Sequence, residues 1–310
     1  MTRRGPSRVS SHAHGRSHGR ARRDWGLAAA LLAPSLSILG VFVLYPLGRA
    51  ILLGRQRCDP SGDNCRTNGW HQYVDVFRSR EFQQAFGVTF RFALMTVPIG
   101  LVLGVALAVL VDKQLRGMGA FRTIFSSTVA TSVAVASLMW FFLLEPSVGV
   151  LADWIGGTAK NPGLLHSEGT ALWAVAVSSI WANLGFTFIV VTAGLQGIPA
   201  DLYESAYVDG ASGWMRFSNV TFPMLGPTLL FASVVLTGRA FQSYGEFDLL
   251  TGGGPNGSTT SLTYLIYGNN SLIKNDQGLQ SASAVLLFIV LLALALLQIR
   301  GVEKRVHYGN

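Results

Sequence analysis

Residues 86–111 read FGVTFRFALMTVPIGLVLGVALAVLV, and Arg91 is the one charge among them. A helix needs about 20 mostly apolar residues to cross a hydrocarbon core about 30 Å thick. A soluble helix or strand of this length would interrupt its apolar residues with polar ones at helix or strand period. This run does neither and predicts a transmembrane helix. On either side of it, 26–48, 124–144, 172–195, 223–241 and 282–299 meet or approach the same standard. The 223–241 segment is interrupted by Pro223, Gly226, Pro227, Gly238 and Arg239. Helix breakers are tolerated inside a span where neighbouring helices or a water-filled cavity satisfy the freed backbone groups. The expectation is an all-α integral membrane protein with six transmembrane helices.

Composition agrees. The 310 residues are 50% hydrophobic and only 13% charged, against about 25% charged in soluble domains. The net charge of +8 is not a folded nucleic-acid surface, because Arg3, Arg4, Arg8, Arg16, Arg20, Arg22 and Arg23 crowd the N-terminus. Residues 1–24 read as a disordered basic cytoplasmic arm near anionic lipid headgroups. His12, His14 and His18 lack the cysteine or carboxylate company of a metal site. The apolar stretch after the arm is too long for a secretory signal and lacks a convincing cleavage site, so it reads as a retained span. The organisation expected is the arm, a first span with an external loop over 25–85, a transmembrane domain over 86–300, and a cytoplasmic tail over 301–310.

Charge gives the orientation. With both termini inside, the cytoplasmic segments hold the arm's arginines plus Lys113, Arg116, Arg122, Arg216, Arg300, Lys304 and Arg305. The external segments hold fewer basic residues, although Arg49, Arg55, Arg57, Arg66, Arg78 and Arg80 gather in the first external loop and dissent. The positive-inside rule favours N-in and C-in. That external loop also carries Cys58 and Cys65, flanking a Pro60-Ser-Gly62 turn. Outside the membrane the pair can persist as a disulfide or stand as two thiols; two further ligands for a metal are lacking.

The connection 196–222, cytoplasmic in this topology, has a helical pattern of its own. Pro199 suits a first helical turn, and Asp201 and Glu204 place negative charge near a helix N-terminus. Tyr203, Ala206, Tyr207 and Gly210 share one stripe. Gly210 and Gly213 break the helix, and Ser212 can cap a second one. Such a stripe needs either a partner or the lipid interface to cover it.

Glu204-Ser205-Ala206, Gly210 and Val220-Thr221-Phe222-Pro223 resemble the coupling-loop signature of bacterial ABC importer permeases, with the spacing kept throughout. Ser205, Val220 and Phe222 are mild departures from its Glu-Ala-Ala, Ile and Leu. A second block, Phe247-Asp248-Leu249-Leu250-Thr251 followed by Gly252-Gly253-Gly254-Pro255, then Thr260, Leu262 and Ile266-Tyr267, is similar to the carbohydrate-type permeases. So are Trp181, Gly185-Phe186, Gly194-Leu195-Gln196 and Ile198-Pro199. The resemblance covers about residues 86–300, and the maltose and glycerol-phosphate permease group fits it best.

The resemblance implies a permease of the bacterial plasma (inner) membrane, with no catalysis in this chain. A coupling helix docks on a cytoplasmic ABC ATPase dimer, and a second homologous permease and an extracytoplasmic solute-binding protein complete the assembly. ATP and magnesium belong to the ATPase, since no Gly-x-x-x-x-Gly-Lys-Ser/Thr loop occurs here. Glu204, Ala206, Asp209 and Gly210 are the residues expected to couple. Glu204 and Asp209 are otherwise plain solvated charges. The glycine run at 252–254 has no lysine and no preceding strand, so it reads as a tight external loop, not a phosphate cradle.

Ionisable residues inside spans are functional suspects. Arg91 and Arg239 either meet an anionic group in a cavity or snorkel to the outer headgroups. Trp181, Asn183, Tyr244, Glu246 and Asp248 offer the ring faces and hydrogen bonds that polyols need; Trp181 and Tyr244 equally suit helix packing. A membrane enzyme would need an acid/base or nucleophile set at one level, whereas His71, His166 and His307 read as isolated. An ion-coupled secondary transporter would carry carboxylates within its spans, and these spans hold essentially none.

Overall fold

The computed structural model describes residues 28, 30–58, 65–112, 118–147, 149–151, 163–269, 273 and 275–303. The basic arm, the turn at 60–62 and the last residues of the tail lie outside them. The chain divides into two units, Met1–Ala50 and Ile51–Asn310.

Helix α1 runs Ala30–Leu53 and belongs mostly to the first unit. It widens into a π turn at Gly40–Leu44. Leu31, Phe42 and most of their neighbours are exposed on every side, so this helix has an apolar surface all round.

The second unit begins with a hairpin, β1 (Gln56–Cys58) against β2 (Cys65–Thr67), in the antiparallel register Gln56↔Thr67 and Cys58↔Cys65. The Cys58 and Cys65 sulfurs are bonded across it. This strand pair adds to the all-helical expectation; strands of three residues carry no alternation to read. Next come α2 (His71–Arg78), α3 (Arg80–Asp112) and α4 (Met118–Ser127), which tightens into a 3₁₀ turn at Thr128–Ala130 before α5 (Val133–Leu144). Then follow α6 (Ala171–Gln196), α7 (Ala200–Val208), α8 (Gly213–Met224) and α9 (Gly226–Gln242). The chain ends with α10 (Gly245–Leu250), α11 (Leu262–Tyr267) and α12 (Gln277–Glu303).

Among the described residues four helices, α1, α3, α6 and α12, are long and apolar enough to cross a membrane unbroken. Two further candidates are bent pairs. The α4–α5 pair turns by 105° and the α8–α9 pair by 63°. The 124–144 segment is therefore not one straight helix: Thr131 is extended, and the Ser132 side chain caps α5 by accepting from Val135 N–H. In the fifth segment the bend falls at Leu225, beside Gly226 and Pro227.

Two buried clusters mark opposite ends of the bundle. One joins Phe82 and Phe92 of α3, Val175 of α6, Phe241 of α9, Phe247 of α10 and Leu262 of α11. The other joins Ala108 and Val111 of α3, Phe188 and Leu195 of α6, and Leu225 at the start of α9. Thus α3 and α6 run the same way and α9 runs back. At Gly104 the two parallel helices approach so closely that a Cβ would sit 2.3 Å from Thr187. Only glycine permits that contact. The hairpin is tied to the start of α12 by Asp276, whose Oδ1 accepts from the N–H groups of Cys58, Gly278 and Leu279.

Candidate functional site

The α7–α8 connection leaves the bundle at the end held by Phe188 and Leu225. Pro199 stands just before α7 with extended ψ, and Asp201 lies in its first turn. The helix stops where Gly210 takes φ +71°, a left-handed position that suits glycine. Ser212 then caps α8 by accepting from Met215 N–H at 3.3 Å. The Tyr203 and Thr221 hydroxyls meet at 3.1 Å and fasten α7 against α8.

The expected stripe is divided between two environments. Tyr203 and Ala206 are half-buried against the bundle, whereas Tyr207 and Gly210 are exposed with Glu204 and Asp209. The outward face gains apolar residues that sequence reasoning passed over: Val208 is 84% exposed and Trp214 75%. Arg216 lies over the Tyr207 ring at 5.9 Å, and Trp214 packs beside Phe217 at 5.6 Å. The rim of this connection thus presents carboxylates, an arginine and large exposed apolar side chains together. Apolar residues of α3, Val102 and Val109 among them, line a groove of about 1150 Å³ shared with Trp214 and Phe217 of α8.

A polar chain crosses the bundle nearer the other end. Arg239 of α9 donates to Asn183 Oδ1 of α6 at 2.8 Å and lies 4.4 Å from the Phe186 ring centre. The Asn183 amide donates in turn to the Ser179 carbonyl at 2.9 Å and toward its hydroxyl. Glu246 on α10 is buried and accepts from Ser243 Oγ. Its burial raises the carboxyl above the usual range, opposed by hydrogen bonds from Ser243 and Ser179. Ser179 therefore joins Glu246 to the Asn183–Arg239 pair, a role with no sequence signal.

The remaining expected path residues lie elsewhere. Trp181 packs edge-on against Trp140 at 6.4 Å. Tyr244 stacks on Tyr264 at 6.1 Å, and burial, then the Asp248 carboxylate beside it, raise its hydroxyl above the usual range. Arg91 lines a separate cavity of about 810 Å³ with Arg80, Glu168 and Asn256. The glycine-rich loop forms part of that wall through Asn256, Gly257 and Ser258. His166 is not isolated: its Nε2 lies 3.1 Å from Glu145.

The family described as binding-protein-dependent transport system inner membrane component matches residues 77–308. The chain is 33% identical over 279 residues to the sn-glycerol-3-phosphate transport system permease protein UgpA of Yersinia enterocolitica, covering 90% of this chain and 94% of that protein. It is likewise 33% identical over 282 residues to UgpA of Agrobacterium fabrum, covering 90% and 95%. In three dimensions it is similar to a chain of a bacterial ABC transporter involved in the import of the acidic polysaccharide alginate. That match has a TM-score of 0.76 at 23% identity, over 93% of this chain and 99% of the other.

Proposed function

The chain belongs to the family of binding-protein-dependent transport system inner membrane components, and from that premise we propose that it is the permease subunit of an ATP-driven importer for a sugar, polyol or glycerol-phosphate-type solute. It is a multi-pass protein of the inner membrane, and its relatives are transport permeases, not enzymes. The UgpA relatives favour a glycerol phosphate within that solute class.

The observation that carries the mechanism is the α7–α8 connection, where Tyr207, Val208 and Trp214 stand exposed around the Glu204…Gly210…Pro223 spacing. Large apolar side chains at the centre of a polar rim are what a partner's cleft anchors on. In this reading a cytoplasmic ATPase dimer, holding ATP and magnesium, grips α7. Glu204 and Asp209 meet basic residues of that partner, Ala206 lets the helix seat closely, and Gly210 sets the turn. A second homologous permease completes the membrane portion, and an extracytoplasmic binding protein delivers the solute.

Six crossings with both termini inside follow when each bent pair counts as one span. The parallel course of α3 and α6, with α9 returning, supports that alternation. Arg239, held by Asn183 and Phe186, is the solute-facing cation of the path. Glu246 supports it through Ser179, while Trp181, Tyr244 and Asp248 shape the surrounding wall.

The test is to purify the chain from its native membranes with whatever accompanies it, and to measure uptake into vesicles. The reading expects an ATPase, a second permease and a binding protein to co-purify, and uptake to require ATP. A chain that emerges alone and transports on an ion gradient without ATP would be a secondary carrier.

A further inference from the structure

Three turns of one face of α3 carry Arg80, Gln84 and Arg91, and all three line the cavity of about 810 Å³. Spacings of four and then seven residues keep them in one row, about 16 Å from end to end at 1.5 Å per residue. Across the cavity stand the start of α6, with Glu168 and Trp173, and the loop residues Asn256 and Ser258. Glu168 accepts a hydrogen bond from the Asn256 side chain. Its carboxylate is thereby engaged in closing the wall. Among the described residues neither Arg80 nor Arg91 has an ion-pair partner. Two guanidiniums thus face one engaged carboxylate, and the local balance is positive.

This is not where a merely snorkelling arginine would sit. Arg91 opens onto a space with the Gln84 and Asn256 amides on its walls, beside the apolar side chains of Met95 and Leu172. Guanidinium groups fork onto phosphate oxygens and suit them better than a compact ammonium does. The cavity is far larger than a bare phosphate, and the Gln84 and Asn256 amides and half-exposed Trp173 ring are the contacts a polyol takes. We propose that this cavity binds a glycerophosphate group, with Arg80 and Arg91 on the phosphate and Gln84 and Asn256 on the glycerol hydroxyls. The group reaches it either as free glycerol phosphate or as the headgroup of phosphatidylglycerol. The cavity is distinct from the Arg239–Asn183 pair, which lines no part of it. In the importer reading it lies at the external mouth; that placement rests on the proposed topology, but binding itself does not.

The experiment uses the full chain purified with its partners in a neutral maltoside, without ATP. Phosphorus NMR titration of sn-glycerol 3-phosphate tests the free source, and native mass spectrometry with phosphatidylglycerol against phosphatidylcholine tests the lipid source. Saturable binding in either arm that weakens about tenfold or more in the Arg80→Gln/Arg91→Gln double variant, but is largely kept in Arg80→Lys/Arg91→Lys, supports the site and names its source. Arg122→Gln, on α4 and outside the cavity lining, serves as the control and leaves this binding unchanged. Equal binding by wild type and the double glutamine variant in both arms overturns the proposal. An uptake assay on the same preparations keeps the two readings apart: binding with no ATP-dependent uptake counts against the importer and not against the site.

Discussion

The two ends of the bundle treat the same kinds of side chain in opposite ways. At the end built by α10 and α11, Phe247, Leu262, Tyr264 and Ile266 are all but fully buried, and the Tyr264 hydroxyl donates to the Gly252 carbonyl at 2.7 Å. Several polar groups of that loop are also satisfied within the chain: Thr259 and Thr260 donate back to the Gly254 and Gly253 carbonyls. At the α7–α8 end, Tyr207, Val208 and Trp214 are mostly exposed. One end completes its packing alone, whereas the other leaves apolar surface for something else to cover. In the proposed importer that division has a use: the sealed end keeps the geometry of a solute path, and the unfinished end offers its apolar surface to the ATPase.

Substitutions can sharpen or break this contrast. The largest effect belongs at the sealed end. Phe247→Ala empties a site where the ring meets Phe92 edge-on at 4.8 Å, and should cost about 3–5 kcal/mol of stability. Thermal unfolding of the purified complex reads it out; an unchanged midpoint would mean that this end is not the rigid one. Next is Gly210→Val. A β-branched residue at φ +71° carries about 1–2 kcal/mol of backbone strain, which should move the loop without unfolding the bundle. ATP hydrolysis should continue while uptake per ATP falls about tenfold. Tightly coupled uptake in this variant would falsify the assignment of Gly210.

Tyr203→Phe removes the hydroxyl contact between α7 and α8 and should cost about 1 kcal/mol. Faster amide exchange confined to residues 200–224 is the expected signature, and exchange spread evenly over the bundle would deny that this contact is local. The smallest change in stability comes from Trp214→Ala, within about 0.5 kcal/mol of the wild type. Recovery of the ATPase with the purified chain should nevertheless drop. If instead the unfolding temperature fell as far as in Phe247→Ala, the α7–α8 end would be part of the core and the contrast would collapse.

How much of this could be read from the sequence depends on what each feature encodes. Apolar run length locates α3, α6 and α12 to within a few residues, because crossing lipid demands length and apolarity alone. The α7–α8 connection was legible through Gly210, Ser212 and the family spacing, each of which has a local cause. The pairing of Arg239 with Asn183 was not, nor the joining of Arg91 with Arg80 and Asn256. Lipid and protein interior are both apolar, so helices such as α6 carry no polar face that tells which side packs inward. Without that rotation, residues 56 apart in sequence cannot be matched by pattern. The break before α5 escaped for another reason: Thr131 and Ser132 are small, and nothing but the Ser132 cap marks the turn.

The contact at Gly104 and Thr187 has a mechanical consequence. With no room for even a methyl group at Gly104, a relative slide or roll of α3 and α6 meets the Thr187 side chain at once. In the proposed coupling the two helices act as a single strut. Helix α6 has 26 residues, about 39 Å at 1.5 Å per residue, and α7 is attached to its far end. A tilt imposed there is therefore a torque on a lever, and at the opposite end it becomes a sideways sweep of the wall that carries Trp173.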